Sequence, residues 1–534
     1  MAVSDVVIMG GGLAGLSLAL QLKREAPELG VRVLEKSTFP VTEATHKVGE
    51  STVELASRYF THTLGLQEHL RQSQLPKFGL RFFFGSGRIE NRLEVGGSDF
   101  PPTPSYQLDR GRFENYLSTR CREQGVELLD GARVDALVVS ESEHPHEITY
   151  SHDGKTSTVS AKWLVDASGR ASLLKRKLDL RKPSPHKASA VWFRVDKEIK
   201  IDDWSSEPDW REGHEGAKAR WFSTNHFMGK GYWVWLIPLA SGSTSVGVVV
   251  DEQLHPITSL SSLDKTRQWL EEHEPQCASQ IFKPGVEVQD FAALKNYSHD
   301  CRRVYSSKRW YLTGEAGVFL DPFYSPGSDF IAVGNTFISS LILDDYRGKN
   351  IRSKTRFLNN LFLSLAGRTM EIFEGQYPIF GHPQVMPTKI VWDFATYWVF
   401  MAFLFFQEKM DKPAEIALVS EDITRIGEVN SHMQSLFRSA AEKIPPREIA
   451  ARVDFLSISY LAELNRELSM EVQPQRFSDV TRAKVDKLER FASEICRTLG
   501  AASGAPGLCY KEIEPGEELS RFFTQVGLSV AVSK

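Results

Sequence analysis

The sequence predicts an α/β fold: a Rossmann-like unit opens the chain, an antiparallel β-sheet layer is inserted after it, and an α-helical region follows. Three observations predict it. The first forty residues read as strand, turn, helix, strand. From about residue 80 to 255, β-rich runs alternate with Gly, Ser, Asp and Pro clusters. Beyond about 345, apolar residues recur at three- and four-residue spacing with charges on the opposite faces.

The first element rests on Val6-Val7-Ile8-Met9, a continuous apolar run, after which the hydrophobic period becomes helical and a second β-branched run ends at Glu35. Gly10, Gly12 and Gly15 form G-x-G-x-x-G between that strand and that helix. Gly10 permits the tight turn, Gly12 lets backbone approach a pyrophosphate, and Gly15 lets helix and strand close up. The helix N-terminus offers free N–H groups to the anion, and Glu35, twenty residues after the last glycine, is placed to accept hydrogen bonds from a ribose. Leu13 and Ala14 between the glycines, and Lys36 after the acid, join this dinucleotide site.

The inserted layer is expected at about 75–110 and 185–255, from "LRFFFG", "EITYSH", "ASAVWFRV", "YWVWLIPLA" and "STSVGVVVD". In "YWVWLIPLA", alternation puts Trp233, Trp235 and Ile237 on one face and Val234 and Leu236 on the other, so the strand is buried on both. Taken alone it is a core strand with two large fillers. The helical region holds "FATYWVFMAFLFF", residues 394–406, bounded by Asp393 and Gln407-Glu408-Lys409. Thirteen residues are too few to cross a bilayer, so a buried helix or the apolar wall of a channel is expected. The expected domains are residues 1–345 and 346–534.

With 534 residues the chain is too long for one core. Its 64 basic and 68 acidic residues leave a net charge of −4, which predicts no general attraction to nucleic acid or anionic lipid. Five cysteines without a CxxC pair indicate neither zinc nor a disulfide framework and fit a reducing compartment. No transmembrane segment and no secretory leader are read, so a cytoplasmic protein is expected.

Two later motifs specify the dinucleotide. "WLVDASGRAS" places Asp166, Ser168, Gly169 and Arg170 after a short apolar strand, and "WYLTGEAGVFLDPFYSPG" places Gly314, Glu315, Ala316 and Gly317 after another. In order and spacing the chain resembles the flavoprotein monooxygenases, with a GR2-type FAD-binding fold. That resemblance implies FAD, with Glu315 where the family's ribityl-binding acid is normally Asp, and Arg110 of "YQLDRGRFENYL" beside the flavin. "FGSGRIE" lacks a third glycine and leads into no helix, so a second nucleotide fingerprint is absent. This is compatible with reduced flavin (FADH2) arriving from a separate flavin reductase.

Within that class, a W-x-W-x-I-P strand joined to one upstream lysine is the mark of the flavin-dependent halogenases, and Trp233, Trp235, Ile237 and Pro238 match it. "LPKFGLRFFFG" resembles the lysine segment of the phenol and pyrrole branch, which implies a catalytic Lys77; by itself Lys77 reads as a solvated strand-edge lysine. "KVGESTVE", with Val48, Gly49, Glu50 and Ser51, resembles the segment covering the flavin. Ser51 and Glu54 also read as a capping box opening a helix. The resemblance covers about residues 1–340. It implies that halide is oxidised beside the flavin and that hypohalous acid passes the two indoles, which keep a small aromatic substrate from direct oxygen transfer, to Lys77. The substrate would be a phenol, pyrrole or indole, free or on a carrier protein.

One loop departs from the family. In "DPFYSPGSDF" the resemblance implies roles for Pro322, Ser325, Gly327 and Ser328, the last two toward halide, chloride or bromide. Pro326 stands where a donor is expected and has no N–H, so weakly hydrated bromide or iodide is the easier substrate. Tyr324 replaces the acid of tryptophan-type members. A halogenase-like FAD monooxygenase that uses no halide, and a non-catalytic flavin-binding scaffold, are the alternatives.

Overall fold

The computed structural model describes residues 2–43, 49–142, 144–212, 217–503 and 516–528. The chain divides into two compact units. The first comprises 1–73, 108–185 and 297–370, and the second 74–107, 186–296 and 371–534. This differs from the expected boundary at 345. The inserted sheet shares a unit with the later helices, because strand Ala451–Asp454 from the helical region pairs with Leu93–Gly96 of the sheet. Helix Arg352–Glu371, counted on sequence with the second domain, lies largely in the first unit, where its Phe362 packs on Tyr305 and Phe330.

The first unit is built on a seven-stranded sheet. Its order is Glu127–Asp130, Val31–Glu35, Ala2–Met9, Lys155–Asp166, His146–His152, Arg133–Val138, with Trp310–Leu312 beside the end of Lys155–Asp166. The pairings around Ala2–Met9 are parallel, as is that of Trp310–Leu312. The last two strands add an antiparallel meander. "EITYSH", expected in the inserted layer, therefore belongs here. The reason is local: Asp153 and Gly154 both take positive φ, +50° and +72°, and close a tight hairpin onto Lys155–Asp166. Helices Arg110–Glu123 and Pro326–Tyr346 pack on Leu13–Glu25.

The second unit holds an eight-stranded sheet, Ala292–Leu294, Ala188–Val195, Thr244–Asp251, Tyr232–Pro238, Thr224–Gly229, Leu80–Phe84, Leu93–Gly96 and Ala451–Asp454. It is mixed rather than wholly antiparallel, since Thr224–Gly229 runs parallel to Leu80–Phe84 and Ala451–Asp454 parallel to Leu93–Gly96. Strand alternation separates two apolar faces. Phe83, Phe193, Phe227, Val234, Leu236 and Val248 enter a core with Trp204, Trp210 and Trp269; each such side chain, fully buried, contributes about 1.5–3 kcal/mol. Phe82, His226, Trp233 and Trp235 occupy the other face.

The apolar run at 394–406 is the second half of a longer helical segment, Val385–Phe406, with a π-helical turn at Trp398–Ala402. It is the one described helix long and apolar enough to cross a bilayer, and 94% of its most apolar stretch is buried inside the protein. Asp393, which reads as a boundary on sequence, is buried: Lys389 Nζ donates to its Oδ2 at 2.6 Å and Gln434 Nε2 to its Oδ1 at 2.8 Å. Paired charges escape a hydropathy reading.

A second buried charge cluster joins two neighbouring strands and the 3-10 turn Ala217–Phe222 of the tryptophan-bearing unit. Glu94, 2% exposed, takes an ion pair from Arg81 and hydrogen bonds from Arg220 Nε at 3.0 and 3.1 Å. Burial opposes ionisation of Glu94, yet the Arg81 and Arg220 charges outweigh it and hold the carboxyl below its ordinary range. Glu94→Gln should leave two buried guanidinium groups uncompensated and lower the unfolding free energy by about 3–5 kcal/mol. Urea denaturation of the two proteins checks this; a midpoint within error of the parent's refutes it.

Candidate active site

Three strand ends lie side by side in the first unit. Met9 pairs with Asp166, and Asp166 with Leu312, so all three motifs leave the sheet at its carboxyl edge, where open α/β sheets bind ligands. Backbone bonds continue past the strands: Ala167 N donates to Met9 O at 2.8 Å, Thr313 N to Asp166 O at 3.0 Å, and Gly10 N to Leu34 O at 2.8 Å.

The first turn needs its glycines. Gly10 has φ +109°, and a Cβ there would lie 2.3 Å from the Ala167 carbonyl oxygen; one on Gly15 would lie 1.9 Å from the Gly10 oxygen. At Gly12 a Cβ would meet nothing within 4 Å. That open space at the N-cap of helix Leu13–Glu25, which has no acid in its first turn, fits a pyrophosphate. Leu13 and Ala14 are buried under the turn. Glu35 braces it: Oε2 accepts from Gly11 N at 2.6 Å and Oε1 from Ser37 N at 2.8 Å, with Lys36 exposed beside it.

In the second motif, Asp166 is consumed locally. Its Oδ1 accepts from Ser168 N and Oγ at 3.0 and 2.6 Å, its Oδ2 from Leu174 N at 2.7 Å, and Gly169 takes φ +59°. Asp166 thus shapes the loop of the second motif. In the third motif Gly314, at φ +58°, packs against Ala14, and Glu315 stays 32% exposed on the side chain with Arg170 Nε at 4.0 Å. Burial raises the Glu315 pKa, while Arg170 and Arg110 oppose the shift. Arg110 opens helix Arg110–Glu123 but is not a surface residue: it is buried, pairs with Glu114 at 2.6 Å and donates to Gly49 O at 3.4 Å. Glu50 and Ser51 are buried. Val48 lies outside the described residues. The N-cap expected at Ser51 lies instead at Val53, before helix Glu54–Arg58, and Asp329 Oδ1 accepts from Ala56 N at 2.9 Å.

The loop after the third motif ends in a pair of left-handed residues, Tyr324 at φ +65° and Ser325 at φ +62°, running into helix Pro326–Tyr346. Pro326 takes the first helical position, where a missing N–H costs the helix nothing. Ser325 N donates to Pro322 O at 2.9 Å, so Gly327, exposed, is the first residue whose N–H the helix turns outward, with Ser328 buried behind it.

The second unit holds the lysine and the indoles. Lys77 is 1% exposed, which excludes a solvated strand-edge lysine; its N–H donates to Ser105 O at 2.9 Å. Trp233 and Trp235 are 2% and 4% exposed, ring centroids 5.5 Å apart. Trp233 Nε1 donates to the Tyr377 hydroxyl at 3.0 Å and Trp235 Nε1 to Ser245 Oγ at 3.2 Å. Gly247 makes room, since a Cβ there would lie 2.1 Å from the Trp235 ring.

His226 was missed by sequence reading. It stacks on Phe82 at 4.7 Å, lies 5.5 Å from the Trp233 ring, and its Nδ1 is 3.0 Å from Arg81 O. Burial, with the Lys77 charge adding to it, pushes its pKa down to about 3. Asn335 was also missed. It accepts from Thr313 Oγ1 at 2.7 Å and donates to Ser17 Oγ at 2.9 Å and Ala14 O at 3.1 Å, tying the first and third motifs to one helix. A lone His or Asn in an apolar run carries no spacing signal that would have marked either.

Residues 3–253 match the family described as FAD binding domain. The flavin-dependent halogenase chlA of Dictyostelium discoideum is 30% identical over 360 residues, 62% of this chain and 58% of that protein, so the chain spans little more than half of that relative's length. A 1H-pyrrole-2-carbonyl-(peptidyl-carrier protein) chlorinase of Pseudomonas fluorescens is 28% identical over 380 residues, 66% of this chain and 78% of that one. The crystal structure of halogenase PltM in complex with phloroglucinol and FAD has the same fold, with a TM-score of 0.66, 16% identity, and coverage of 91% of this chain and 96% of that one.

Neutral burial of His226 has a signed consequence. Its folded pKa lies below the unfolded 6.5, so between pH 6.5 and about 3 the unfolded chain takes up a proton that the folded one refuses. Stability should fall as pH drops through 6.5, by up to about 1.4 kcal/mol per pH unit from this residue. His226→Gln should reduce the slope of urea midpoint against pH between 6.5 and 4.5; an unchanged slope sinks the assignment.

Proposed function

We propose that this chain is a flavin-dependent halogenase, an FAD-dependent enzyme that halogenates an electron-rich aromatic, with Lys77 presenting the halogen to the ring. The observation that carries the reading is a lysine 1% exposed, its charge felt by a neutral imidazole that itself lies against the Trp233 indole. Burial strips most water from around the Lys77 nitrogen, which suits it to hold a small oxidant beside an aromatic ring.

When bound, reduced FAD with oxygen supplies the oxidising equivalent that converts halide to hypohalous acid. The Gly10–Gly15 turn, Glu35, Arg110 and the loops around Gly169 and Gly314 would hold it. The geometry of that cradle fits: open space at Gly12, a helix N-terminus without acid, and glycines where side chains would collide. The W-x-W strand assigns Trp233 and Trp235, ring centroids 5.5 Å apart, the role of keeping substrate from direct oxygen transfer. The Lys77 amine takes the halogen, releasing water, and returns as amine when the ring exchanges a proton for it. A phenol or pyrrole, free or carrier-bound, is the proposed substrate; a pyrrole on a peptidyl carrier protein is what the Pseudomonas relative is named for. A separate reductase would supply the reduced flavin. A reducing, cytoplasmic setting is supported by Cys121, Cys277 and Cys301, buried thiols that form no disulfide with one another.

The competing reading, a monooxygenase of this fold that uses no halide, draws on one feature: Ser325 N–H is engaged by Pro322 O and Pro326 has none. Incubation with FAD, a reductase, NADH and bromide over a panel of phenols distinguishes the two by mass, a gain of bromine against a gain of oxygen. Lys77→Ala should abolish bromination while leaving FAD affinity and peroxide release within about twofold of the parent, because the side chain acts after the flavin. Surviving bromination removes Lys77 from the mechanism.

A further inference from the structure

We propose that Lys175 is a positioning residue for the cofactor loop: its side chain pins the Gly317 carbonyl to the His299 imidazole, and so keeps the third motif in the shape that receives FAD. Lys175 lies on helix Leu173–Lys177, directly after the second motif, and is 2% exposed. Its Nζ donates to Gly317 O and lies 2.8 Å from His299 Nδ1. Both ends of this bridge are fixed. The helix is capped by Asp166, through Leu174 N at 2.7 Å. His299 pairs with Phe319 through both backbone groups, at 2.9 and 3.0 Å. Between them, Gly314–Ala316 forms one tight turn closed by Gly317 N on Gly314 O at 3.0 Å. Lys175 therefore links the second motif to the third from behind the cofactor face. Without it, the buried Gly317 carbonyl loses this donor.

The bridge is charge-assisted only while Lys175 is an ammonium. Burial brings its pKa down to about 8; Cys301, Asp300 and Asp166 raise it and Arg181 lowers it further. Burial, with Lys175 and Arg181 adding to it, pushes His299 down to about 4, so the imidazole is neutral and its Nδ1 accepts. As pH rises through about 8 the donor becomes an amine, and its hold on the Gly317 carbonyl weakens.

The inference rests on FAD binding by this chain and not on halide use, so its test reads flavin affinity alone. FAD dissociation from the purified holoenzyme, followed by flavin fluorescence at pH 6 to 9, should give for the parent an affinity that declines through pH 8. Lys175→Met should weaken binding about tenfold at pH 7 and flatten the profile. Lys175→Arg, which keeps a charged donor, should restore most of the affinity at pH 7 and hold it to pH 9. A parent profile flat from pH 7 to 9 overturns the proposal whether or not the variants fold. So does a Lys175→Met protein that binds FAD like the parent or keeps its pH dependence.

Discussion

The nucleotide unit depends on how closely its backbone packs where three parallel strands end. Gly10 leaves no room for a methyl group against Ala167, and Gly15 none against Gly10. Because strand, turn and helix touch through main chain alone, the second motif can donate to Met9 and the third to Asp166 without a side chain intervening. The cradle is thus a property of the sheet: strand register places Met9, Asp166 and Leu312 at one edge, and the loops inherit that alignment. Backbone positioned in this way has little freedom to lose when an anion arrives, which favours binding.

That constraint explains which parts of the fold were legible in the sequence. The glycine turn, the strand before it and the acid after it are local features, and each follows from spacing between Val6 and Glu35. The short strand Trp310–Leu312 was legible before the third motif, but its parallel partner is remote in the chain, and three residues carry no sign of which strand that is. The inserted layer was legible as strands yet misassigned at its edges. "EITYSH" alternates like its neighbours in the other sheet, and only the Asp153-Gly154 hairpin tells which strand it pairs with. Ala451–Asp454 lies among helices and becomes a strand because Leu93–Gly96 offers it an edge. Tertiary context overrides local pattern at such positions.

The site divides in the same way. Lys77, Trp233 and Trp235 were found through a motif, and their burial agrees with the roles that the motif suggests without testing them. Asp166 and Ser51 show what a motif leaves open, namely how a residue of the right type serves the backbone around it. Asp166 spends both oxygens on its own loop, and the cap expected from Ser51 and Glu54 is provided by Asp329, 273 residues away from the amide that it accepts from. His226, Asn335 and Lys175 were invisible because their importance lies in what surrounds them. Each is a polar group almost sealed from water, and such groups persist when their hydrogen bonds are complete.

The loop before Pro326–Tyr346 shows how one substitution moves between these levels. On sequence, Pro326 is a lost hydrogen-bond donor. In the structure it is the first residue of a 21-residue helix, where its ring presets the backbone angle that the helix needs. The two left-handed residues before it turn the chain sharply enough that Ser325 bonds back to Pro322. Rigidity is gained and a donor is given up at the start of this helix. The lost donor that the sequence shows at Pro326 and the preset first turn that the structure shows there are therefore two consequences of one ring.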